Sequence, residues 1–348
     1  MKNNLFVTIR EAKKKFQIKI DPKKYDWIEA AAEEGYTNKK NFEDLKFLKI
    51  IPFLLQKPKK ISLKKKFLNA HINSAIVCCP MGHQTQFDKD GEIETARGVE
   101  QAGSLSFFGT QGRMSLKDIR EKNKNAKIGW FIFPFGNKQW IDEQIQNAEK
   151  YKCIAIVICL DANIRSKRYQ DLEARYDARK YGRRTNPESP NPEASLYYDW
   201  SIVKYIKSRS KLPIIVKGIL SEHDAKKCLK VGVKNIWVSN HGGRMFNSGI
   251  SVASALKSIS KLKKKHKLMI IADGAVRQGS DIIKYLCLGA DFVGIGRPIM
   301  YGLHLSRANG VKKIFDILNE ELYTAMINGG FNNYQSFKSN RIENFEKL

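Results

Sequence analysis

Acidic residues are scarce in this chain of 348 residues: 35 aspartates and glutamates face 62 lysines and arginines, leaving a net charge of +27. Long apolar runs are missing as well. None approaches the ~18 residues that a bilayer span needs, so a transmembrane helix is excluded. The N-terminal MKNNLFVTIREAKKKF has no apolar h-region before a small-residue cleavage site. That absence predicts a cytoplasmic chain rather than a secreted one. The six cysteines, Cys78, Cys79, Cys153, Cys159, Cys228 and Cys287, form no CxxC pair. They read as reduced thiols in apolar elements, with no metal site. No Walker A loop occurs, and GIGRPI stops short of GxGxxG, so neither a P-loop nor a dinucleotide site is supported.

The positive charge is spread along the chain, from KKK (13–15) through KPKK (57–60) and LKKKF to KLKKKHK (261–267). With no aromatic-interleaved RNA module, zinc finger or helix-turn-helix pattern, it reads as a solvated basic surface rather than a specific nucleic-acid interface. The sharpest cluster is RSKRYQDLEARYDARKYGRR (165–184).

Apolar residues are plentiful, at 42%, and their pattern is regular. Eight short apolar runs recur after residue 70: SAIVCC, SLSFF, GWFIF, CIAIVICL, LPIIVK, NIWVS, LMIIAD and DFVGIG. Amphipathic helical patterns separate most of them. Strands alternating with helices imply parallel βα units, and eight of these predict an α/β fold, a TIM (β/α)8 barrel. The expected layout is one domain over 1–348: a helical N-terminal extension (1–70), a barrel core (74–300) and a C-terminal helical segment (301–348) that closes it. An enlarged loop after the fourth strand (161–211) holds the basic cluster and SPNPEAS.

Barrel chemistry lies at the carboxyl ends of the strands. Strand four ends in Asp161, strand five in Lys217, strand six in Ser239-Asn240-His241, strand seven in Asp273-Gly274 with Arg277, and strand eight in Gly296-Arg297. Ionisable groups at one end of five consecutive strands are hard to explain as solvation. Gly274, Arg277, Gly296 and Arg297 suit a phosphate held after strands seven and eight. In VSNHGGR (238–244), His241 offers a base, Arg244 a bidentate carboxylate clamp, and two glycines a close backbone approach.

LPIIVKG, VSNHGGR, ADGAVRQGSD and GIGRP, in that order, resemble the FMN-dependent 2-hydroxy-acid oxidase and dehydrogenase family (glycolate oxidase, L-lactate dehydrogenase, mandelate dehydrogenase). Upstream, YDWIEAAAEEGYTN, CPMGHQTQFDKDGE and LDANIRSKR extend the resemblance over nearly the whole chain. It implies FMN as cofactor, His241 as the base with flavin N5 as acceptor, and Asp161 as the carboxylate that orients His241. Lys217 would face the flavin N1 edge. Arg244 and Arg168 would clamp the substrate carboxylate. Arg277, Gly296 and Arg297 would hold the phosphate and Asp273 the ribityl chain. Met81, Gly82, Ser239 and Gly274 would line the flavin.

Departures cluster on the substrate side. A family tyrosine falls on Trp27, a second on Pro134 or Phe135, a glutamine on Ile132, a threonine on Cys159 and a serine on Gly109. Each lost hydrogen bond to a carboxylate is worth about 1.5–3 kcal/mol. The expected substrate is therefore a carboxylate other than simple glycolate or lactate, with Tyr169, Tyr176, Tyr181 and the loop arginines as replacement donors. Two readings stay open beside it: the same flavin chemistry on an amine, an amino-acid derivative or a peptide end, and a basic scaffold with idle or absent flavin. Oxygen, a quinone or a cytochrome would take the electrons. A homo-oligomer, tetrameric by analogy, and a peripheral contact with anionic membrane complete the expectations.

Overall fold

A computed structural model describes residues 5–56, 61–190 and 194–344. The KPKK stretch (57–60) and the centre of SPNPEAS (191–193) lie outside the described residues.

Eight parallel strands close into a barrel in chain order: β1 (Ile76–Cys78), β2 (Leu105–Gly109), β3 (Lys127–Ile132), β4 (Ile156–Cys159), β5 (Ile214–Ile219), β6 (Asn235–Val238), β7 (Met269–Asp273) and β8 (Phe292–Ile295). Closure is made by β8 on β1, with Gly294 opposite Val77. The TIM barrel is thus as expected, and all eight apolar runs supply its strands. Helices cover the barrel outside and side chains fill it inside. For that reason the strands read as continuous apolar runs rather than alternating ones. The fill is aromatic. Phe107 packs edge-on to Trp237 at 5.0 Å, and Phe67 to Phe292 at 4.7 Å.

The chain before the barrel opens with three helices, α1 (Ile9–Lys19), α2 (Pro22–Glu29) and α3 (Tyr36–Phe47). Thr8 caps α1 by accepting from the Glu11 N–H, and Asp21 caps α2, which has Pro22 in its first turn. Helicity ends there rather than continuing to residue 70. Leu48–Ile50 pairs antiparallel with Ile342–Asn344, and Lys65–Phe67 pairs with Ala70–Ile72 as a hairpin. Pro52 then disfavours any resumption of the helix, because it removes a helical donor and biases Ile51 toward extended backbone. Phe67 of the hairpin meets Phe292, the first residue of β8, and so plugs the amino-terminal mouth.

The closing helix Arg297–Gly329 is two helices, broken where Ser306 and Arg307 leave helical backbone. Arg307 is held there by Asp88 and Asp90, at 2.9 and 2.7 Å. In the segment after β4, Ser201–Arg209 is the ordinary crossover helix of the barrel. The remaining described residues form a roof over the carboxyl ends of the strands. Asn186 donates to the carbonyls of Thr110 and Gly112, and Gln86 donates to the Ala178 carbonyl. Among the described residues no helix is long and apolar enough to cross a membrane.

Candidate active site

The turn after β6 carries the chemistry. His241, Gly242 and Gly243 are all left-handed, with φ of 55°, 65° and 75°. Only the glycines do this without strain. The imidazole residue is therefore held by its surroundings: the Ser239 Oγ accepts the His241 N–H at 3.1 Å, and the Asn240 side chain accepts the Gly243 N–H. Asn240 is locked in turn by a reciprocal amide pair with Asn41 of α3. Gly243 is required sterically as well, since a Cβ there would fall 2.4 Å from the Asn38 nitrogen.

Asp161, just past β4, places a carboxylate oxygen 3.0 Å from His241 Nδ1. A carboxylate only accepts, so Nδ1 carries the proton and Nε2 is left as the basic atom. Lys217 Nζ stands 3.5 Å from the same Nδ1. Two donors cannot share a hydrogen bond, and the ammonium gives its proton to Ser239 Oγ instead, at 2.9 Å. Burial and then the Lys217 charge push the His241 pKa down, with Asp161 opposing them. The imidazole is neutral and ready to accept a proton.

Burial also works against the charges on Asp161 and Lys217, but their mutual attraction and the neighbouring charges win. Asp161 lies well below the usual carboxylate range through His241 and Lys217. Lys217 is raised by Asp161 and Asp273. Ser239 links this pair to β7 by donating to Asp273 at 2.8 Å. Burial raises Asp273.

Of these groups, Lys217, His241 and Asp273 face a cavity of about 570 Å³ at the carboxyl end of the barrel. Trp27, Met81, Gly82, Gly109, Arg168, Lys217, His241, Arg244, Asp273, Gly274, Arg277, Gly296 and Arg297 all line it. Three expected residues stand behind its wall. Asp161 reaches the cavity only through His241. Ser239 is fully buried between Lys217 and Asp273. Cys159 is buried with its thiol 3.2 Å from the free oxygen of Asp161, so it supports the carboxylate rather than touching a ligand.

Arg244 and Arg297 are less free than their sequence roles imply. The carbonyls of Trp27, Ile28 and Ala30, at the C-terminus of α2, accept from Arg244, while Arg297 bonds the carbonyls of Ile28 and Ala30 and the Asn38 side chain. These carbonyls are the negative end of a helix, a natural seat for guanidinium groups. Burial lowers the pKa of both arginines, and Arg168 and Arg297 add repulsion at Arg244. Crowded guanidinium groups of this kind are relieved by an anion.

Several wall residues escaped the sequence reading, Phe131, Phe133 and His83 among them, whereas Phe135 was already weighed as the place of a lost tyrosine. Phe131, Phe133 and Phe135 alternate into the cavity, whereas Ile132 and Pro134 point away from it. The F-x-F-x-F spacing carried that signal. Phe133 and Phe135 stack at 5.1 Å, and Phe133 reaches within 6.4 Å of the His241 ring. The expected tyrosine donors do not line the cavity. Tyr176 is buried against Gln86 and stacked on Tyr181 at 5.1 Å, and Tyr169 is exposed. Roof residues Arg165, Arg179, Arg184 and Glu188 line it instead, together with His83 after β1.

Among known proteins, residues 17–344 match the family described as FMN-dependent dehydrogenase. A 2-hydroxyacid oxidase of Dictyostelium discoideum is 28% identical over 351 residues, covering 97% of this chain and 90% of that protein. 2-Hydroxyacid oxidase 2 of Bos taurus is 31% identical over 313 residues, 87% of this chain and 88% of that protein. A solved mandelate oxidase with 3,3-difluoro-2-hydroxy-3-phenylpropionic acid shares the fold, with a TM-score of 0.91 over 99% of this chain and all of its own, at 22% identity.

Proposed function

The chain belongs to the FMN-dependent dehydrogenase family, and from that premise we propose that it oxidises a 2-hydroxy acid other than glycolate or lactate to the 2-oxo acid, with His241 as the base. The observation that carries the reading is the Asp161–His241 pair, whose basic nitrogen is left for a cavity walled by arginines.

The cavity fits FMN. Gly274 and Gly296 line it, and even a Cβ there would meet nothing closer than 3.5 and 3.8 Å. Both glycines therefore leave backbone accessible to a ligand, Gly296 at the N-terminus of the helix that begins at Arg297. The N–H groups of a first helical turn have no partner within the helix and suit a phosphate. Arg277 and Arg297 add charge there, and Lys217 supplies a buried cation for the flavin's anionic edge. When bound, FMN supplies the acceptor for the two electrons that leave the substrate.

The protein's own part is positioning and proton transfer. Arg244 and Arg168 hold the substrate carboxylate from guanidinium groups already anchored to backbone, so little ordering entropy remains to be lost on binding. His241 Nε2 accepts the proton that the substrate releases as its C–OH becomes C=O. Asp161 steadies the imidazolium that results, and Cys159 steadies Asp161. The wall of Trp27, Phe131, Phe133 and Phe135 replaces the family's polar contacts, which supports a substrate longer than lactate.

An anaerobic panel of 2-hydroxy acids and amines, read by bleaching of the flavin, tests the proposal. Bleaching by hydroxy acids is the expected outcome. Bleaching by amines alone would overturn it, and so would turnover of lactate faster than of every longer acid. Both relatives named above are oxidases, which supports dioxygen as the acceptor. Rapid reoxidation in aerated buffer with release of hydrogen peroxide is expected. Slow reoxidation that a quinone or a cytochrome accelerates would assign the electrons elsewhere.

A further inference from the structure

The cavity wall is strongly cationic. Seven arginines and Lys217 line it against three carboxylates, Asp177, Glu188 and Asp273, an excess of five. An FMN phosphate brings about two negative charges and the substrate carboxylate one. Asp161, 3.0 Å from His241, and Asp171, shared by Arg165 and Arg168, stand just behind the wall and offset two of the five.

The least committed cations belong to the roof. Arg244, Arg168 and Arg297 gather near the His241 turn, and Arg277 follows Gly274. Arg165, Arg179 and Arg184 come from the segment after β4. Arg179 is committed, since Asp177 holds it bidentately at 2.9 and 3.0 Å. Arg165 is held loosely, with Asp171 at 3.4 Å and Asp177 at 3.5 Å, both long for a charge-assisted bond. Arg184 donates from Nε to the Asn186 carbonyl at 2.6 Å and meets Glu188 at 2.8 Å; that carboxylate is 74% exposed, so water screens the ion pair.

Beside these two stands His83, in left-handed backbone at φ 58°. Strain of this kind at a non-glycine residue is held in place by its surroundings and gathers at ligand sites. Arg113 Nε lies 3.2 Å from His83 Nδ1. A guanidinium has only donors, so Nδ1 accepts and the ring's proton is on Nε2. Burial, then Arg113, Arg184 and Arg165, hold the His83 pKa down to about 3, so the ring stays a neutral N–H donor. Trp27, edge-on at 5.8 Å, adjoins it on the substrate side.

We propose that His83, Arg165 and Arg184 form a second anion subsite, so that the substrate is a 2-hydroxy acid bearing a further carboxylate or phosphate at its far end. The proposal rests on the hydroxy-acid reading above. It also gives the missing tyrosine contacts a reason: the far anion supplies the binding that a small hydroxy acid would have drawn from them.

The test compares 2-hydroxy dicarboxylates and phosphorylated 2-hydroxy acids of increasing length with monocarboxylates of equal carbon number, on the FMN-loaded enzyme. Affinity and limiting rate of flavin reduction are read separately. Binding of the matching 2-oxo acids is read from the flavin absorbance without turnover. Dianions are expected to bind more tightly than matched monoanions, and the better of the carboxylate and phosphate series identifies the distal group. In an Arg165→Gln/Arg184→Gln double variant, dianion affinity should fall roughly tenfold to a hundredfold, with monoanion affinity and both limiting rates unchanged. Equal binding of the two classes by the wild type would overturn the subsite, as would equal losses for both in the variant. If no hydroxy acid reduces the flavin, the parent reading fails. The absorbance titration then still decides the subsite.

Discussion

His241 works because three neighbours pull on it differently. Burial and Lys217 disfavour its cation, while Asp161 favours it, and the balance lies below the ordinary imidazole range. The unprotonated ring is the active base. The rate of flavin reduction should therefore hold steady as pH falls through ~6.5, the usual histidine value, and decline only at more acid pH. Stopped-flow pH profiles check this, and an acid limb at or above that value would sink it. His241→Ala should slow reduction by about 10²–10⁴-fold, with the flavin spectrum unchanged. Cys159 teaches a second lesson at this scale. As a sequence letter it is a lost threonine. In place, its thiol still donates to Asp161, so the carboxylate keeps its support.

At the scale of elements, the segments that differ from expectation are those whose role depends on distant partners. The hairpin Lys65–Phe67/Ala70–Ile72 is short and polar on one side, and it exists because Phe67 has an aromatic mouth to fill. Plugging the barrel also buries Lys65 over the rings of Phe292 and Tyr334, at 5.0 and 4.3 Å. Burial brings its pKa down to about 8 from 10.5. The unfolded chain then binds more protons than the folded one between those values, so Lys65 makes stability rise with pH across that window. In urea unfolding at a series of alkaline pH values, the wild type should gain stability relative to Lys65→Met across that window. A slope unchanged by the substitution would mean that Lys65 is not its source.

Taken whole, the molecule brings together cations that repel one another, and anions should relieve them. Ligand binding to the folded state stabilises it by RT ln(1 + [L]/Kd), about 2.7 kcal/mol at a hundredfold excess over Kd. Adding FMN to flavin-stripped protein should raise the melting temperature accordingly. Arg277→Ala should reduce the gain by weakening FMN binding. An FMN-indifferent melting curve in the wild type would contradict the cofactor assignment. Sodium chloride at matched ionic strength separates this specific effect from general screening of the +27 charge.

Much of this was already written in the chain. Apolar runs of strand length, alternating with helical patterns, determine a parallel barrel, because only covered parallel strands are apolar on both faces. Barrel geometry then sends Asp161, Lys217, His241 and Asp273 to one end, since each stands at or just past the carboxyl end of its strand. What only the tertiary structure decided is which side chains turn inward and what they meet there. It selected Phe131, Phe133 and Phe135 over Ile132 and Pro134, by strand alternation at the end of β3 and by the tight turn beyond it, where the Phe135 N–H bonds the Phe133 carbonyl. It tied Arg244 and Arg297 to the carbonyls of α2, and it brought Arg165 and Arg184 over His83. Those contacts join residues separated by tens to hundreds of positions, and no local pattern records such a distance.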